Sequence, residues 1–267
     1  MMKKAIIIIA RNENEWPEIT ATNFQHQFSD CELVGIDDGG NNVWPPNINL
    51  YKTIGGVGVG MSRRYGVEMT DAELIMVTDG HVLYDRGDKE KIWRLAEQGF
   101  VVTFTTKSLK TGKTHGNGRT HMLPDHKAVN TRVPDGHQIG LIGSVYAMKR
   151  SVALDVIAPT SSHGFNEQVM TVAALAFGHD IYSCPDIVFS HLYKNTFNYD
   201  VTYNGQQRNR KLLDWWFLDG AKPHNISKEE SRYMQHVQLN RKRNKNQIIE
   251  CIEAMNRKEL KCKMQQI

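Results

Sequence analysis

The sequence predicts an α/β protein built on a mainly parallel sheet flanked by helices, and three observations support that prediction. Continuous apolar runs suited to buried strands occur at residues 4–10, 32–36 and 74–77. Each run ends abruptly in a polar turn, and helix-like segments separate the runs. Strand, polar turn, helix and strand in succession are typical of an α/β fold. The 267 residues are enough for one large domain of this kind.

Polar residues follow all three of these predicted strands. The first strand is followed by Arg11, Asn12 and Glu13, and Pro17 then suits the first turn of a helix. The second and third strands end in Asp-Asp-Gly-Gly and Thr-Asp-Gly-His turns. Because open sheets bind ligands at the carboxyl ends of their strands, we expect the polar residues there to form one site. They are Asn12, Glu13, Asp37, Asp38, Asp79 and His81.

The remaining elements follow from the same patterns. Helical periodicity, twice closed by a glycine, predicts helices over 61–70, 89–98 and 166–177. Apolar runs predict short strands at 100–105, 181–183 and 187–189, and a further apolar segment at 139–148. Residues 107–138 form a long polar stretch interrupted by glycine and proline, which predicts a loop with a functional role.

Composition excludes a membrane or disulfide-rich protein. The longest apolar run, residues 5–10, is far shorter than the roughly 20 residues of a membrane helix. It also ends too soon in charged residues to serve as a signal peptide. The cysteines at positions 31, 184, 251 and 262 lack zinc-like spacing, so free thiols in a reducing cytosol are expected. We therefore expect a cytoplasmic protein without a transmembrane segment.

Charge divides the chain into two parts. The net charge is +4, but residues 206–267 hold 14 Lys/Arg against 7 Asp/Glu, so residues 1–205 carry −3. This asymmetry predicts a mildly acidic domain over 1–205 and a basic, mainly helical extension over 206–267. The aromatic cluster at 215–217 is expected to pack the extension onto the domain.

Asp79, His81 and His191 are candidate metal ligands. Asp79 and His81 stand two residues apart at a strand end, where alternate residues of an extended segment share one face. Carboxylate oxygen and imidazole nitrogen are both donors that divalent metals accept. His191 follows an apolar run and joins them only if the fold brings it near. The alternative is structural, with Asp79 capping a helix and His191 hydrogen-bonded in the core.

Two further segments suggest phosphate binding and proton transfer. The glycine-rich residues 55–60 precede Arg63 and Arg64, and backbone amides and arginines both bind phosphates. The segment is not a Walker loop, and the alternative is a flexible loop before a surface helix. Glu167 stands at the start of a buried helix, where it either complements the helix dipole or serves as a base or hydrogen-bond acceptor.

Taken in order, these elements resemble the nucleotide-sugar-dependent glycosyltransferases of the GT-A fold over residues 4–195. The resemblance implies a Rossmann-like, mainly parallel sheet and a UDP-sugar donor. It implies that Asp38 contacts the uracil ring with Asp37 beside it, and that Arg63 or Arg64 lies near the diphosphate. The implied donor-binding residues are Ala10, Arg11, Glu13, Asp37, Asp38, Arg63, Arg64, Gly143 and Ser144.

The Asp-x-His motif narrows the resemblance to the polypeptide N-acetylgalactosaminyltransferases, within a broad family-2 and family-27 group. That group has a later histidine after a Cys-Pro segment, and residues 183–191 are similar to it. The resemblance implies Mn²⁺ or Mg²⁺ held by Asp79, His81 and His191. It implies Glu167 as a catalytic residue beside Asp79, acting as base in an inverting reaction or as an orienting group in a retaining one, with a lean toward retention. Because a luminal anchor, lectin domain and disulfide set are lacking, we expect a compact bacterial or phage cytosolic member.

The acceptor is predicted from charge alone. The basic extension and the basic residues of 107–138 suit nucleic-acid phosphates, so one hypothesis is transfer to a hydroxylated, extruded base in phage DNA. The residues assigned to this role are Arg119, His121, Arg241, Lys242 and Arg243. Equally open are solvated helix faces without a partner, a glycan or protein hydroxyl, and a membrane surface approached through Trp215 and Trp216.

Two functions of other classes fit the same α/β body. A sugar nucleotidyltransferase would have a glycine-rich signature with Arg and Lys directly after the first strand, whereas Arg11-Asn12-Glu13-Asn14-Glu15 stands there. A non-catalytic module that binds nucleotide sugars would tolerate loss of Asp79.

Overall fold

The fold was examined in a computed structural model that describes residues 2–122, 127–136, 139–160, 164–193 and 203–264. The strands are β1 Lys4–Ala10, β2 Glu32–Asp37, β3 Asn49–Lys52, β4 Leu74–Asp79, β5 Val82–Arg86, β6 Val101–Ser108, β7 Thr114–Gly116, β8 Gly118–Met122, β9 Lys127–Thr131, β10 Val145–Lys149 and β11 Ile181–His191. The helices are α1 Trp16–Gln27, α2 Val59–Glu68, α3 Lys89–Glu97, α4 Arg150–Val156, α5 Asn166–Phe177, α6 Tyr203–Phe217, α7 Lys228–Asn240 and α8 Lys245–Met264.

The main sheet is mixed and mostly parallel. Within the described ranges its order is β3-β2-β1-β4-β10-β6-β11-β5, with β7 paired to β6, and β8 and β9 form a separate hairpin. Strands β1 to β4 run parallel to one another, whereas β10 is antiparallel to both β4 and β6. Strand β11 is parallel to β6, so its carboxyl end reaches the same edge as those of β1, β2 and β4. The prediction that three strand ends meet at one edge is confirmed.

Helices cover both faces of the sheet because its strands are apolar on both sides. In β1, Ile7 and Ile9 face one core, which includes residues of α2, α4 and α5. Ile6 and Ile8 face the opposite core, which includes residues of α1 and α3. A strand apolar on both faces is what a buried parallel strand requires.

A third core joins the C-terminal helices to the rest of the molecule. Apolar residues of α5 pack against residues of α6, α7 and α8. Trp216 and Phe217 are fully buried in this core, as expected from the aromatic cluster. Helix α5 therefore lies between the sheet and the C-terminal helices. In the described part of the chain, no helix is long and apolar enough to cross a membrane.

The structure differs from the sequence predictions in three regions. The stretch 107–138, predicted as a loop, contains β7 and the hairpin of β8 and β9. The two short strands predicted at 181–183 and 187–189 are one strand, β11, with an irregularity around Pro185, which lacks the N–H that a ladder needs. Short elements β3, β5 and α4 were not predicted, because runs of four to seven residues give little periodic signal.

Candidate active site

A cavity of about 470 Å³ opens at the carboxyl edge of the sheet. It brings together residues from β1, β4, β11, the turn before β10, and the starts of α2 and α5. Its size falls in the ordinary range for small-molecule sites. The sequence-predicted residues that line it are Ala10, Arg11, Glu13, Asp38, Arg63, Asp79, His81, Arg119, Gly143, Ser144, Glu167 and His191.

Asp79, His81 and His191 converge in this cavity. One ligand atom from each lies within 4.8 Å of the others, and the Asp79 Oδ2 to His191 Nε2 distance is 3.8 Å. The two imidazole rings lie 4.8 Å apart between centroids. The convergence follows from topology, since β4 and β11 both end at this edge although 112 positions separate Asp79 from His191.

The environment of the histidines suits ligation of a metal. Burial lowers the pKa of His191 to about 3, with a further lowering from nearby His81. A neutral imidazole offers the lone pair that a metal needs. Both ring nitrogens of His191 are buried without a hydrogen-bond partner. Buried polar atoms normally have hydrogen-bond partners, so unpartnered ring nitrogens at this position suit ligation of a metal ion.

Arg63 lies beneath the metal-ligand cluster and is 3% exposed. Its Nη2 donates to Asp79 Oδ1 at 3.0 Å and to the Gly143 carbonyl at 2.7 Å. Burial lowers the pKa of Arg63, but Tyr146 and the carboxylates of Asp79 and Glu167 outweigh it and raise the pKa. Arg63 thus supplies a permanent positive charge at the base of the cavity.

Asp38 anchors the glycine-rich loop before α2. Its Oδ1 accepts hydrogen bonds from Val57 N and Thr53 Oγ1, both at 2.7 Å, and its Oδ2 accepts one from Gly58 N at 3.1 Å. Arg11 lies beside the same carboxylate, with Nη1 3.7 Å from Oδ2. The carboxylate that the resemblance assigns to uracil is therefore at the cavity, and its oxygens are engaged by this loop.

Asp37 stands beside Asp38 but is not among the residues lining the cavity. Its Oδ1 accepts hydrogen bonds from Asn42 Nδ2 at 2.6 Å and from Gly39 N at 3.1 Å. These contacts close the turn after β2, so the structure gives Asp37 a role in shaping the loop.

Glu167 projects from the first turn of α5 across the turn before β10. A Cβ on Gly143 would lie 2.3 Å from Glu167 Oε1, so only glycine allows this approach. Arg119 Nη1 lies 3.4 Å from Glu167 Oε2, and both side chains are partly exposed to the cavity. Phe165, which precedes α5, has a left-handed φ of 60°. The carboxylate is thus held at the cavity by α5 and the turn before β10.

Arg64 is not among the residues that line the cavity, and its predicted contact with a donor stays a prediction. Its Nε donates to Glu68 Oε1 at 2.8 Å, and its Nη1 donates to the carbonyls of Leu154 and Ile157. Successive helical residues point about 100° apart, so only one of the two arginines can face the site.

The basic cluster 241–243 also lies away from the cavity. The backbone amides of Lys242 and Arg243 donate to the Ala176 carbonyl, and Arg243 Nη1 donates to another carbonyl of α5 at 2.9 Å. Because Ala176 follows Glu167 by nine residues of α5, this end lies about 14 Å from Glu167. Lys242 and Arg243 therefore satisfy carbonyls at the end of α5, whereas the Arg241 amide donates to the Val237 carbonyl of α7. The assignment of these three residues to an acceptor stays a prediction. His121 lies on β8, and its side chain is outside the described residues.

Some cavity residues were not predicted from the sequence. Tyr193 lines the cavity with its ring 4.2 Å from that of His191. Its position two residues after a candidate ligand was a signal that could have identified it. Asn130 and Gly205 line the cavity from β9 and α6, and no sequence pattern pointed to either.

Comparison with solved structures identifies the architecture. A structure described as GalNAc-T7 with UDP, GalNAc and Mn²⁺ superposes with a TM-score of 0.68 at 11% identity, covering 89% of this chain and 55% of that one. The chain has the GT-A fold. This confirms the predicted fold class, and 11% identity shows the fold alone.

Two structures of TarS from S. aureus match as well. One superposes with a TM-score of 0.55 at 12% identity and covers 89% of this chain and 43% of that one. The other, residues 1–349 with UDP-GlcNAc, has a TM-score of 0.54 at 12% identity and covers 89% and 72%. The chain thus spans about half the length of the first structures it matches. No protein-family model and no curated protein matches the sequence.

Proposed function

We propose that this protein is a metal-dependent glycosyltransferase that moves a sugar from a UDP-sugar to an acceptor hydroxyl. The observation that supports it most is the convergence of Asp79, His81 and His191 in a cavity at the carboxyl edge of the sheet. The fold adds support, because GalNAc-T7 was solved with UDP and Mn²⁺ and TarS with UDP-GlcNAc.

The three ligands fit Mn²⁺ or Mg²⁺. One carboxylate and two imidazoles form a donor set that Mn²⁺ accepts, and the two buried ring nitrogens of His191 have no hydrogen-bond partner. A divalent cation bound there would neutralise the charge that develops on the UDP leaving group. Asp79 is held for this role by Arg63, which binds Oδ1 and leaves Oδ2 on the side of His191.

Residues of this chain would hold the donor around that position. The Arg63 guanidinium is fixed in a water-poor environment, where a positive charge stabilises a developing negative charge more than in water. Arg11 lies at the opposite rim beside Asp38 and directly against Gly56. Ala10, Glu13, Gly143 and Ser144 complete the proposed donor wall.

Glu167 is the proposed acceptor-side carboxylate. In an inverting reaction it would accept the proton of the acceptor hydroxyl as the glycosidic bond forms and the bond from the sugar to UDP breaks. In a retaining reaction it would orient the acceptor or the sugar instead. Arg119 pairs with Glu167 and fixes its direction in either case.

Loss of Asp79 tests the enzyme proposal. UDP release and Mn²⁺-dependent UDP binding would be measured for Asp79→Ala, with Asp71→Asn as the matched control. Asp71 is an exposed residue paired with Lys3 just before β4, at the opposite edge of the sheet from Asp79. We expect Asp79→Ala to abolish both signals and the control to keep them. Unchanged transfer and binding in Asp79→Ala would overturn the proposal and favour a non-catalytic module.

The acceptor class is the finer part of the proposal. A glycan or protein hydroxyl is favoured over a DNA base, because contacts within the protein occupy two of the arginines that suggested DNA. Arg208 pairs with the buried Glu230, and Arg243 donates to the Leu175 carbonyl. UDP release would be compared for hydroxymethylated-base DNA, plain DNA, peptides and glycans. Activity confined to the modified DNA, with salt-sensitive binding, would reverse this order.

The same assay separates a sugar nucleotidyltransferase. That enzyme would form a UDP-sugar from UTP and a sugar phosphate with release of pyrophosphate, whereas transfer releases UDP. Arg11, Asn12 and Glu13 stand where its glycine-rich signature would be, and we therefore expect UDP alone.

A further inference from the structure

Glu13 is a buried carboxylate that touches one of the proposed metal ligands. It lies in the turn between β1 and α1, and its side chain is 5% exposed. Its Oε2 is 3.1 Å from Nδ1 of His81, whose side chain is 13% exposed. The resemblance assigns Glu13 to the donor nucleotide, but its position beside an imidazole allows it to act through that ring.

The turn that holds Glu13 is unusually constrained. Asn12 and Asn14, on either side of it, both have a φ of 54°, which residues other than glycine adopt at a cost in free energy. The Glu13 amide donates to Asn42 Oδ1 at 2.8 Å, and the Asn14 carbonyl accepts from Val43 N at 2.7 Å. Such strain persists where surrounding contacts enforce it, and here its result is a fixed carboxylate under the histidine.

The turn that holds His81 is fixed from the same side. The Gly80 amide donates to the Ile9 carbonyl at 2.7 Å, and Thr20 Oγ1 of α1 donates to the Gly80 carbonyl at 3.0 Å. A Cβ on Gly80 would lie 2.8 Å from that of Ala10, so the turn is pressed against the end of β1. Both members of the Glu13–His81 pair are therefore set by backbone contacts.

We propose that Glu13 is a positioning residue that accepts a hydrogen bond from Nδ1–H of His81. That bond keeps the proton on Nδ1 and leaves the Nε2 lone pair to face a metal. The two atoms lie 3.1 Å apart, which is within hydrogen-bonding distance, while the present ring orientation does not meet the angle of a hydrogen bond. Carboxylates that orient ligating histidines are a general feature of metal sites. The inference rests on the proposed metal site.

A donor-binding role makes a different prediction. If Glu13 acts only on the nucleotide, its loss raises the KM for the UDP-sugar and leaves Mn²⁺ affinity without donor unchanged. If Glu13 acts through His81, its loss weakens Mn²⁺ in the absence of any nucleotide.

The test measures Mn²⁺ binding to the nucleotide-free protein by electron paramagnetic resonance of the free ion. We expect Glu13→Gln to weaken binding by about 10- to 100-fold, as for other outer carboxylates, and Glu13→Asp to recover part of it. The matched control is Glu15→Gln, because Glu15 is exposed two residues further along the same turn. Wild-type affinity in Glu13→Gln would overturn the inference.

Two further measurements keep the result interpretable. Nitrogen-15 NMR of the wild-type histidines reports the tautomer of His81 without any change at Glu13, and a proton on Nε2 in the metal-free protein would contradict the inference. The His81→Ala variant tests the metal site itself. If His81→Ala binds Mn²⁺ normally, the proposed metal site fails, whereas a loss there with normal Glu13→Gln binding overturns only the positioning role.

Discussion

Replacing Arg63 with methionine should destabilise the metal-free protein, because two hydrogen bonds of a buried cation are lost together. The Nη2 group donates to Asp79 Oδ1 at 3.0 Å and to the Gly143 carbonyl at 2.7 Å. A buried acceptor left without a partner costs about 1–3 kcal/mol. The Asp79 carboxylate is 22% exposed, so solvent partly replaces the hydrogen bond from Arg63, and for this acceptor we use the lower half of that range. The expected fall in the free energy of unfolding is about 3 kcal/mol.

Urea denaturation followed by circular dichroism, with chelator present, measures this change. Arg63→Lys keeps the charge but cannot direct two donors from one planar group, and we expect an intermediate loss. Arg94→Met is the matched control, since Arg94 is exposed on α3 and should change stability by less than about 0.5 kcal/mol. A free energy of unfolding for Arg63→Met within about 1 kcal/mol of wild type would refute the reasoning.

Three other predictions follow from individual contacts. Gly143→Ala should lower the rate of transfer at least tenfold with little change in fold, because the new Cβ lies 2.3 Å from Glu167 Oε1 and displaces that carboxylate; an unchanged kcat would contradict this. Trp216→Ala should lower the free energy of unfolding by about 3–5 kcal/mol, because the ring is fully buried, and thermal or urea melts measure this change. A smaller loss would mean that packing of the C-terminal helices contributes little to stability. Asp155 of α4 lies between two histidine rings, with His179 Nε2 2.8 Å and His236 Nε2 2.7 Å from its carboxylate oxygens. Burial raises the pKa of Asp155, but these hydrogen bonds outweigh it and lower the pKa. The stabilisation from Asp155 is therefore present above the ordinary pKa of 3.8 and is lost as the pH falls through the lower folded pKa. Asp155→Asn should flatten the acid limb of a plot of unfolding free energy against pH. An unaltered acid limb would contradict a stabilising role for these hydrogen bonds.

The fold was predictable from sequence where strands are long and apolar. Residues 4–10 and 74–79 have side chains suited to burial on both faces, and their polar ends marked Asp79 and His81 directly. His191 was a conditional candidate from its place after an apolar run, and the resemblance singled it out, because nothing local distinguishes it from a structural histidine. Its place in the cavity depends on the parallel pairing of β11 with β6, which is a long-range contact that no local sequence pattern encodes.

The roles of charged residues were less predictable, because they depend on what each side chain meets. Arg63 and Arg64 are adjacent and chemically identical, yet one enters the cavity and the other binds carbonyls near α4. The basic run at 241–243 suggested a surface for phosphates, whereas Lys242 and Arg243 donate hydrogen bonds to the last carbonyls of α5. The Glu13–His81 contact joins two turns separated by 68 positions, and no periodicity encodes it.

Helix α5 connects the cavity to the C-terminal segment, because its first turn lies at the cavity and its last turn contacts that segment. Its first turn presents Glu167 to the cavity, and its last carbonyls accept hydrogen bonds from Lys242 and Arg243. Deleting residues 206–267 would expose the apolar side of α5 to solvent and would remove contacts that hold the helix, and with it Glu167, in position. Loss of sugar transfer in the truncated protein would therefore have two explanations, displacement of Glu167 or loss of acceptor binding. Whether Mn²⁺ still binds in the cavity separates the two.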